Sequence, residues 1–414
     1  MDIAIVTQSL RAVGGTENVV VWLAGGLAGK GHAVTVFTGE FSESVWGKDA
    51  DRPYAVHVLG GEGKKASSTW LANREAGKAL GTALSARAFD VVNAHNYPAS
   101  LWVHYAKAGA PKFPPTVLFL HNLPGYFYEE VTAPHIRRLP GLRNAWNRLR
   151  PKRILRKLRQ RLLGYRELDQ ASVRSFDKVI ANSLYSAGLA RRIYSRGVEP
   201  CVLGVRWEES SGTSGRSGEG RNAPEAGVPP VVLTVARIEF QKNFDTLLEA
   251  IRILKTGRAA SGKGFRYVVA GGGPHLEQYR AMCHRLRIDD VVTFLGSVPH
   301  DRVRDLYKEA SFLVHVPLDE PFGLVPLEAA LCGKASVVSD HGGPAEVVVD
   351  GVTGVHVDAL DPAAIAGRIG HLMDHPDVAR RMGEAACSRV GSEYSWARFV
   401  DAFERHLVRS ASAP

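Results

Sequence analysis

Two runs of one pattern, parted by a segment that cannot bury itself, set the limits on what this chain folds into. From Ser210 to Arg221 the sequence reads S-S-G-T-S-G-R-S-G-E-G-R. With almost nothing apolar in it, ordering this stretch would cost entropy that burial could not offset. Before it, short apolar runs stand at Ile3 to Thr7, Ala33 to Thr38, Ala55 to Leu59, Asp90 to Ala94, Thr116 to Leu120 and Asp177 to Ser183. Helical patterns such as Thr16 to Leu27 and Ala72 to Leu84 separate them. After it the pattern resumes with Val231 to Val235, Arg266 to Ala270, Val292 to Gly296, Phe312 to His315, Ala335 to Ser339 and Gly354 to Val357. Runs that are apolar almost throughout suit strands covered on both faces, so each half is expected to be a doubly wound α/β domain with a parallel sheet. A chain of 414 residues exceeds one ordinary core and fits two. The expected division is a first domain over 1–205, a linker or insertion over 206–228, a second domain over 229–392 and a final helix within 393–414.

The formal net charge of +10 implies attraction to anions without saying which. Much of it is concentrated: residues 137–166 hold twelve Lys or Arg, with Ile154, Leu155, Leu158 and Leu162 at helical spacing. This basic amphipathic pattern suits packing on the domain, an anionic membrane or a phosphorylated acceptor. No aromatic platform accompanies it, which argues against nucleic acid. Cys201, Cys283, Cys332 and Cys387 stand far apart without a C-x-x-C spacing, arguing against zinc and for reduced thiols in the cytoplasm. The start Met1 to Val6 reads as a strand and not as a secretion signal, and no run of about 18 apolar residues occurs.

The densest chemistry lies between Asp319 and Glu346. Glu320 and Glu328 are separated by seven residues that include the turn Phe322-Gly323-Leu324. Pro326 suits the first position of a helix and Gly333 its end, which would leave Glu320 before the helix and Glu328 in its first turn. Free backbone N–H groups at a helix start attract an anion, most naturally phosphate. Two carboxylates would repel that anion and are better matched to neutral hydroxyls. A ligand with both phosphates and hydroxyls follows, and a nucleotide-diphospho-sugar fits. The positive charge it needs is available at Arg237 and Lys242, just after the run Val231 to Val235. No D-x-D stands beside an acidic cluster to hold a divalent ion, and the basic pair makes a metal unnecessary. In the first half, Gly14-Gly15 follows the first strand, where backbone can approach a phosphate closely, though without a G-x-G-x-x-G fingerprint. His121 and His95 each end an apolar run, at the edge where ligands of open α/β sheets gather. Position alone does not separate them.

Val235-Ala236-Arg237, then Lys242-Asn243, then Glu320 and Glu328 with the Phe-Gly-Leu-Val turn between them, resemble the retaining glycosyltransferases of family 4, which have the GT-B architecture. That resemblance implies two Rossmann-like domains facing across a cleft, and transfer of a hexose-type sugar from a UDP- or GDP-linked donor to a hydroxyl acceptor. The acceptor would be lipid-linked, glycan or small and soluble, in bacterial glycoconjugate or natural-product synthesis. It implies retained configuration, no metal or cofactor, and a departing phosphate that takes the acceptor's proton. Residue by residue, Arg237 and Lys242 would neutralise the diphosphate, helped by amides near Gly323 and Leu324, with Phe322 and Val325 beside them. Glu320 would orient the donor sugar and Glu328 would hold the ribose. Gly296 and Val298 would contact the base, Gly15 the diphosphate, and His121 the sugar near its anomeric carbon, leaving His95 and Gly14 toward the acceptor. Cys201 to Val205 resembles the family's strand leading to an Asn-Gly-Val turn, without the Asn. A cytoplasmic enzyme, peripheral on the membrane through 137–166, would suit this reading. A catalytically silent sugar-nucleotide-binding subunit, or a phosphorylase or epimerase on the same architecture, are the alternatives.

Overall fold

The computed structural model describes residues 1–11, 14–59, 70–110, 112–124, 164–206, 228–259 and 262–412. The basic stretch, apart from residues 164–166, and nearly all of the 206–228 segment lie outside these. The described residues form two compact units. One holds the first half up to residue 202 together with 397–412, and the other holds 203–396.

The first unit is built on seven strands: β1 (Asp2–Thr7), β2 (Ala33–Thr38), β3 (Ala55–Val58), β4 (Val91–His95), β5 (Thr116–Leu120), β6 (Lys178–Ala181) and β7 (Glu199–Pro200). All pair in parallel, in the order β3-β2-β1-β4-β5-β6-β7. β4 and β5 are buried at every position, as expected of central strands covered on both faces. Helix α1 (Gly15–Gly29) buries Val19, Val20, Leu23, Ala24 and Leu27, the stripe that a 3.6-residue period lays on one face. Around the same sheet lie α2 (Glu43–Trp46), α3 (Trp70–Ser85), α4 (Asn96–Ala108), α5 (Tyr165–Arg174) and α6 (Leu184–Tyr194). Ser183 caps α6 by accepting from the Ser186 amide at 2.9 Å, worth about 1 kcal/mol.

The second unit has six parallel strands: β8 (Val231–Val235), β9 (Arg266–Ala270), β10 (Val292–Gly296), β11 (Phe312–His315), β12 (Ser336–Ser339) and β13 (Gly354–Val357), ordered β10-β9-β8-β11-β12-β13. Its helices are α7 (Phe244–Ala259), α8 (Leu276–Leu286), α9 (His300–Glu309), α10 (Leu324–Leu331), α11 (Gly342–Val347), α12 (Pro362–Asp374) and α13 (Pro376–Glu393). Phe244, Leu247, Leu248 and Ile251 of α7 pack with Tyr267, Val269, Phe312 and Val314 of the sheet and with Ile365 and Ile369 of α12 in one core. A last helix, α14 (Trp396–Ala411), places Phe399 and Phe403 on Phe119 of the first unit, with ring centroids 5.8 and 5.2 Å apart.

Three local expectations are corrected. Helix α10 begins at Leu324, because Gly323 with φ 120° turns the chain there, so Pro326 is its third residue and Glu328 lies in the second turn. Gly342-Gly343, which as a glycine pair after the Ala335 to Ser339 run reads from sequence as a turn, opens α11 instead. Residues 201–205 are not a strand; the edge strand is Glu199–Pro200, and only Val205 forms a bridge, to Ser395.

Candidate active site

In both sheets the strand order reverses once, between β1 and β4 and between β8 and β11. Loops leaving adjacent strands at such a point diverge to opposite faces and open a crevice at the carboxyl ends. In the second unit these loops carry Arg237 and Lys242 after β8 and Glu320 after β11. Tertiary structure therefore brings together residues far apart in the chain.

Lys242 forms an ion pair with Glu320 through Oε2, the two side chains being 24% and 19% exposed. The fully buried His315, last residue of β11, places Nε2 3.5 Å from the same oxygen. Burial by itself would raise the Glu320 pKa, but the Lys242 ammonium, followed by His315, overrides it and holds the carboxyl down at about 2. Burial also keeps His315 below its ordinary range. Glu320 is thus a permanent carboxylate near neutral pH, with Oε2 occupied and Oε1 the oxygen left for a ligand.

Backbone contacts seat these groups. Asn243, in the left-handed conformation, donates from Nδ2 to Val316 O at 3.0 Å and Ala359 O at 2.6 Å. The Leu318 amide donates to Gln241 O at 2.8 Å, so the Lys242 turn is stitched to the segment leading into Glu320. The Gly343 amide donates to Glu320 O at 2.8 Å, and a Cβ at Gly343 would overlap the Phe322 backbone. Only glycine permits that approach. The Arg237 loop is held likewise: Ile238 N–H bonds Gly272 O at 2.9 Å, and Gly271 and Gly273 abut the backbone of Ala236 and Ile238. Arg237 is 72% exposed and pairs with Glu239 at 3.0 Å, free to swing toward an incoming anion.

Glu328 has a different environment. The Tyr307 hydroxyl of α9 donates to its Oε2 at 2.9 Å, and burial pushes its pKa up to about 7 although that hydrogen bond opposes the shift. The two glutamates are therefore electrostatically distinct: one held ionised by a cation, the other poised near neutrality by an apolar setting. Gly323 and Phe322 are buried at the start of α10, where the Leu324 and Val325 amides are among the orphan donors of the first turn. Gly296, at φ 72°, ends β10 and accepts from Gly271 N–H at 2.8 Å, while Val298 packs half-buried on the cluster containing Tyr307 and Ala329.

In the first unit, Gly14 and Gly15 stand at the N-terminus of α1 after β1; β1 pairs with β4, which ends in His95, and β4 pairs with β5, which His121 follows. His95 Nδ1 lies 2.8 Å from His121 Nε2; the residues are 2% and 6% exposed. Burial lowers both, His121 to about 3, so both rings are neutral. His121 is also held by its backbone: its N–H donates to Asn96 Oδ1 at 2.7 Å, and its carbonyl accepts from Asn182 Nδ2 at 3.0 Å.

Sequence reasoning passed over His315 and Tyr307. His315 carries the same signal as His95 and His121, a histidine closing an apolar run. Tyr307 sits in an amphipathic helix and gives no signal, because its meaning depends on the carboxylate it meets. Among the described residues no group of three or more His, Cys, Asp or Glu is arranged to hold a metal ion, and no helix is long and apolar enough to cross a membrane.

Residues 13–196 match the family model described as Glycosyltransferase Family 4, and residues 220–389 match Glycosyl transferases group 1. A D-inositol 3-phosphate glycosyltransferase of Streptomyces scabiei is 34% identical over 234 residues, covering 54% of this chain and 52% of that protein. The match thus spans about half the length of that curated relative. Two solved structures share the fold over nearly the whole chain. Sucrose-phosphate synthase from Thermosynechococcus elongatus has a TM-score of 0.74 at 19% identity, covering 99% of this chain and 98% of that one. Anabaena HepE in complex with UDP and glucose has a TM-score of 0.70 at 18% identity, covering 99% and 100%. Both matched domains support a glycosyltransferase of the family 4 type, and the chain has the GT-B fold.

Proposed function

We propose that the chain is a retaining, metal-independent glycosyltransferase that moves a hexose from a UDP- or GDP-linked donor to a hydroxyl acceptor. The observation that carries this is the Lys242–Glu320 ion pair at the reversal point of the second sheet, with Arg237 on the same loop as Lys242 and an unlike carboxylate, Glu328, on the helix that follows Glu320. A diphosphate needs the cations, and a sugar and a ribose need the acceptors. The match to a D-inositol 3-phosphate glycosyltransferase and the fold shared with a UDP- and glucose-bound protein support it.

In this reading Arg237 and Lys242 neutralise the diphosphate and lower the cost of its departure, assisted by the Leu324 and Val325 amides and by Gly15. Glu320 accepts from the sugar hydroxyls through its open oxygen, and Glu328 accepts from the ribose. Gly296 and Val298 lie along the base. His121 contacts the sugar near the anomeric carbon, Gly14 and His95 lie on the acceptor side, and the departing phosphate takes the acceptor's proton. The acceptor hydroxyl belongs either to a lipid-linked or glycan molecule, met at the cytoplasmic face of the membrane where residues 137–166 dock on anionic lipid, or to a small soluble molecule that needs no membrane contact.

A thermal-shift screen with UDP-, GDP- and ADP-sugars tests the donor: one large stabilisation identifies the nucleotide. Arg237→Ala should then lower turnover by two or more orders of magnitude with the fold intact, and near-normal activity would remove Arg237 from the mechanism. Tight nucleotide binding without transfer or donor hydrolysis would point to a binding subunit, and conversion of donor without acceptor to an epimerase. Co-sedimentation with anionic liposomes tests the membrane contact; absence of binding at low salt removes it.

A further inference from the structure

The reading above uses His121 but assigns no chemistry to the bond beneath it. His95 Nδ1 and His121 Nε2 are 2.8 Å apart, with ring centroids 5.1 Å apart and ring planes inclined by only 26°, so the two nitrogens face each other edge to edge. Both imidazoles are neutral because burial disfavours their charged forms. One proton therefore lies between them, and two arrangements are possible. If His121 Nε2 donates, His95 must carry its own proton on Nε2. That atom is buried and has no hydrogen-bond partner among the described residues. Its aromatic neighbours, Phe119 at 5.6 Å and Phe403 at 6.3 Å between centroids, offer no lone pair. A buried N–H without an acceptor is among the rarest features of folded proteins, whereas an unpaired acceptor is better tolerated. If His95 Nδ1 donates instead, only a lone pair is left at His95 Nε2, and His121 carries its proton on Nδ1.

We propose that His95 is a positioning residue that locks His121 as the Nδ1–H tautomer, so that His121 meets the donor sugar as a hydrogen-bond donor and not as a base. No hydrogen bond from a described residue occupies His121 Nδ1, whereas Nε2 is taken. Asn96 and Asn182 clamp the His121 backbone, and His95 completes the restraint by fixing the ring. An N–H aimed at a sugar hydroxyl oxygen would hold the sugar ring in register without taking a proton from it. A base at that place would compete with the departing phosphate for the acceptor's proton. This inference rests on the proposed sugar contact of His121, but the tautomer itself can be read without any substrate.

The test is long-range proton–nitrogen NMR on protein labelled with nitrogen-15 histidine, the His121 signals being those lost in His121→Gln. The expected result is a protonated His121 Nδ1 and a lone-pair Nε2; a protonated Nε2 would overturn the proposal. His95→Asn, whose amide N–H can donate from the place of Nδ1, should keep the His121 tautomer of the wild type; a mixed tautomer in this variant would overturn the proposal. His95→Leu should mix the tautomers and lower kcat by about tenfold or more with little change in the KM for donor. An unchanged tautomer and kcat in His95→Leu would equally sink the lock. If the wild-type tautomer is as expected but His121→Ala turns over donor normally, the lock stands and the sugar contact assigned to His121 falls.

Discussion

Glu320 and Glu328 are the same residue type eight positions apart, yet their surroundings drive them in opposite directions, and each direction has a pH consequence. Glu328 titrates near 7 in the folded protein, and a ribose diol is best held by its ionised form. The fraction ionised rises from about one tenth at pH 6 to about nine tenths at pH 8, so affinity for the bound nucleoside diphosphate should rise about ninefold over that span. Calorimetric titration at the two pH values measures it, and Glu328→Gln should flatten the dependence. Glu320 behaves in the reverse sense. Its folded pKa of about 2 lies below the ordinary 4.5, so its contribution to stability is present above pH 4.5 and lost as pH falls toward 2. Lys242→Met removes the cation and leaves burial opposed only by His315, which raises the pKa. Urea midpoints at pH 3 and pH 6 should then show wild type gaining on the variant by on the order of 2 kcal/mol as pH rises. Equal gains would mean that Lys242 does not hold Glu320 ionised. Both glutamates were legible in the sequence as a pair. Their different protonation was not, because it depends on His315, Tyr307 and Lys242, which sequence separation hides.

At the scale of elements, close backbone approach at the ends of the strands builds the site, and glycine marks where it happens. Gly343 opens α11 against the Phe322 backbone, so any Cβ there must push away the turn that carries Glu320. Gly343→Ala should cost about 1–3 kcal/mol in denaturant unfolding and weaken nucleotide binding by about tenfold or more. Gly367, exposed in α12 with no atom near its missing Cβ, is the matched control. Gly367→Ala should be neutral or stabilising by up to about 1 kcal/mol, since alanine is the better helix former. If both variants behave alike, the packing argument fails. The same scale explains the misplaced start of α10. Proline at a helix start is a sound sequence rule, but Gly323 at φ 120° supplies an earlier chain reversal, and φ cannot be read from a glycine's letter.

For the whole molecule, two parallel sheets with separate cores provide two crevice-forming strand reversals, the second of which carries Arg237 and Lys242. A nucleoside diphosphate at a hundredfold excess over its Kd should stabilise the unit that binds it by about 2.7 kcal/mol. Hydrogen exchange read peptide by peptide should place the protection in residues 231–357; protection centred on residues 1–7 and 91–120 would relocate the nucleotide. The architecture itself was open to reading from sequence, because near-continuous apolar runs alternating with amphipathic stretches have few other ways to bury themselves. The Arg237, Lys242, Glu320 and Glu328 positions were likewise visible, as charges at the ends of such runs. What only tertiary structure decided is which charges meet. Strand order sets β8 beside β11, although about eighty residues part them, and so joins Lys242 to Glu320; β4 beside β5 joins His95 to His121. Local sequence determines the elements because propensity and periodicity act over a few residues. Pairing across a sheet depends on the whole fold, and with it go burial, the proton positions and the chemistry.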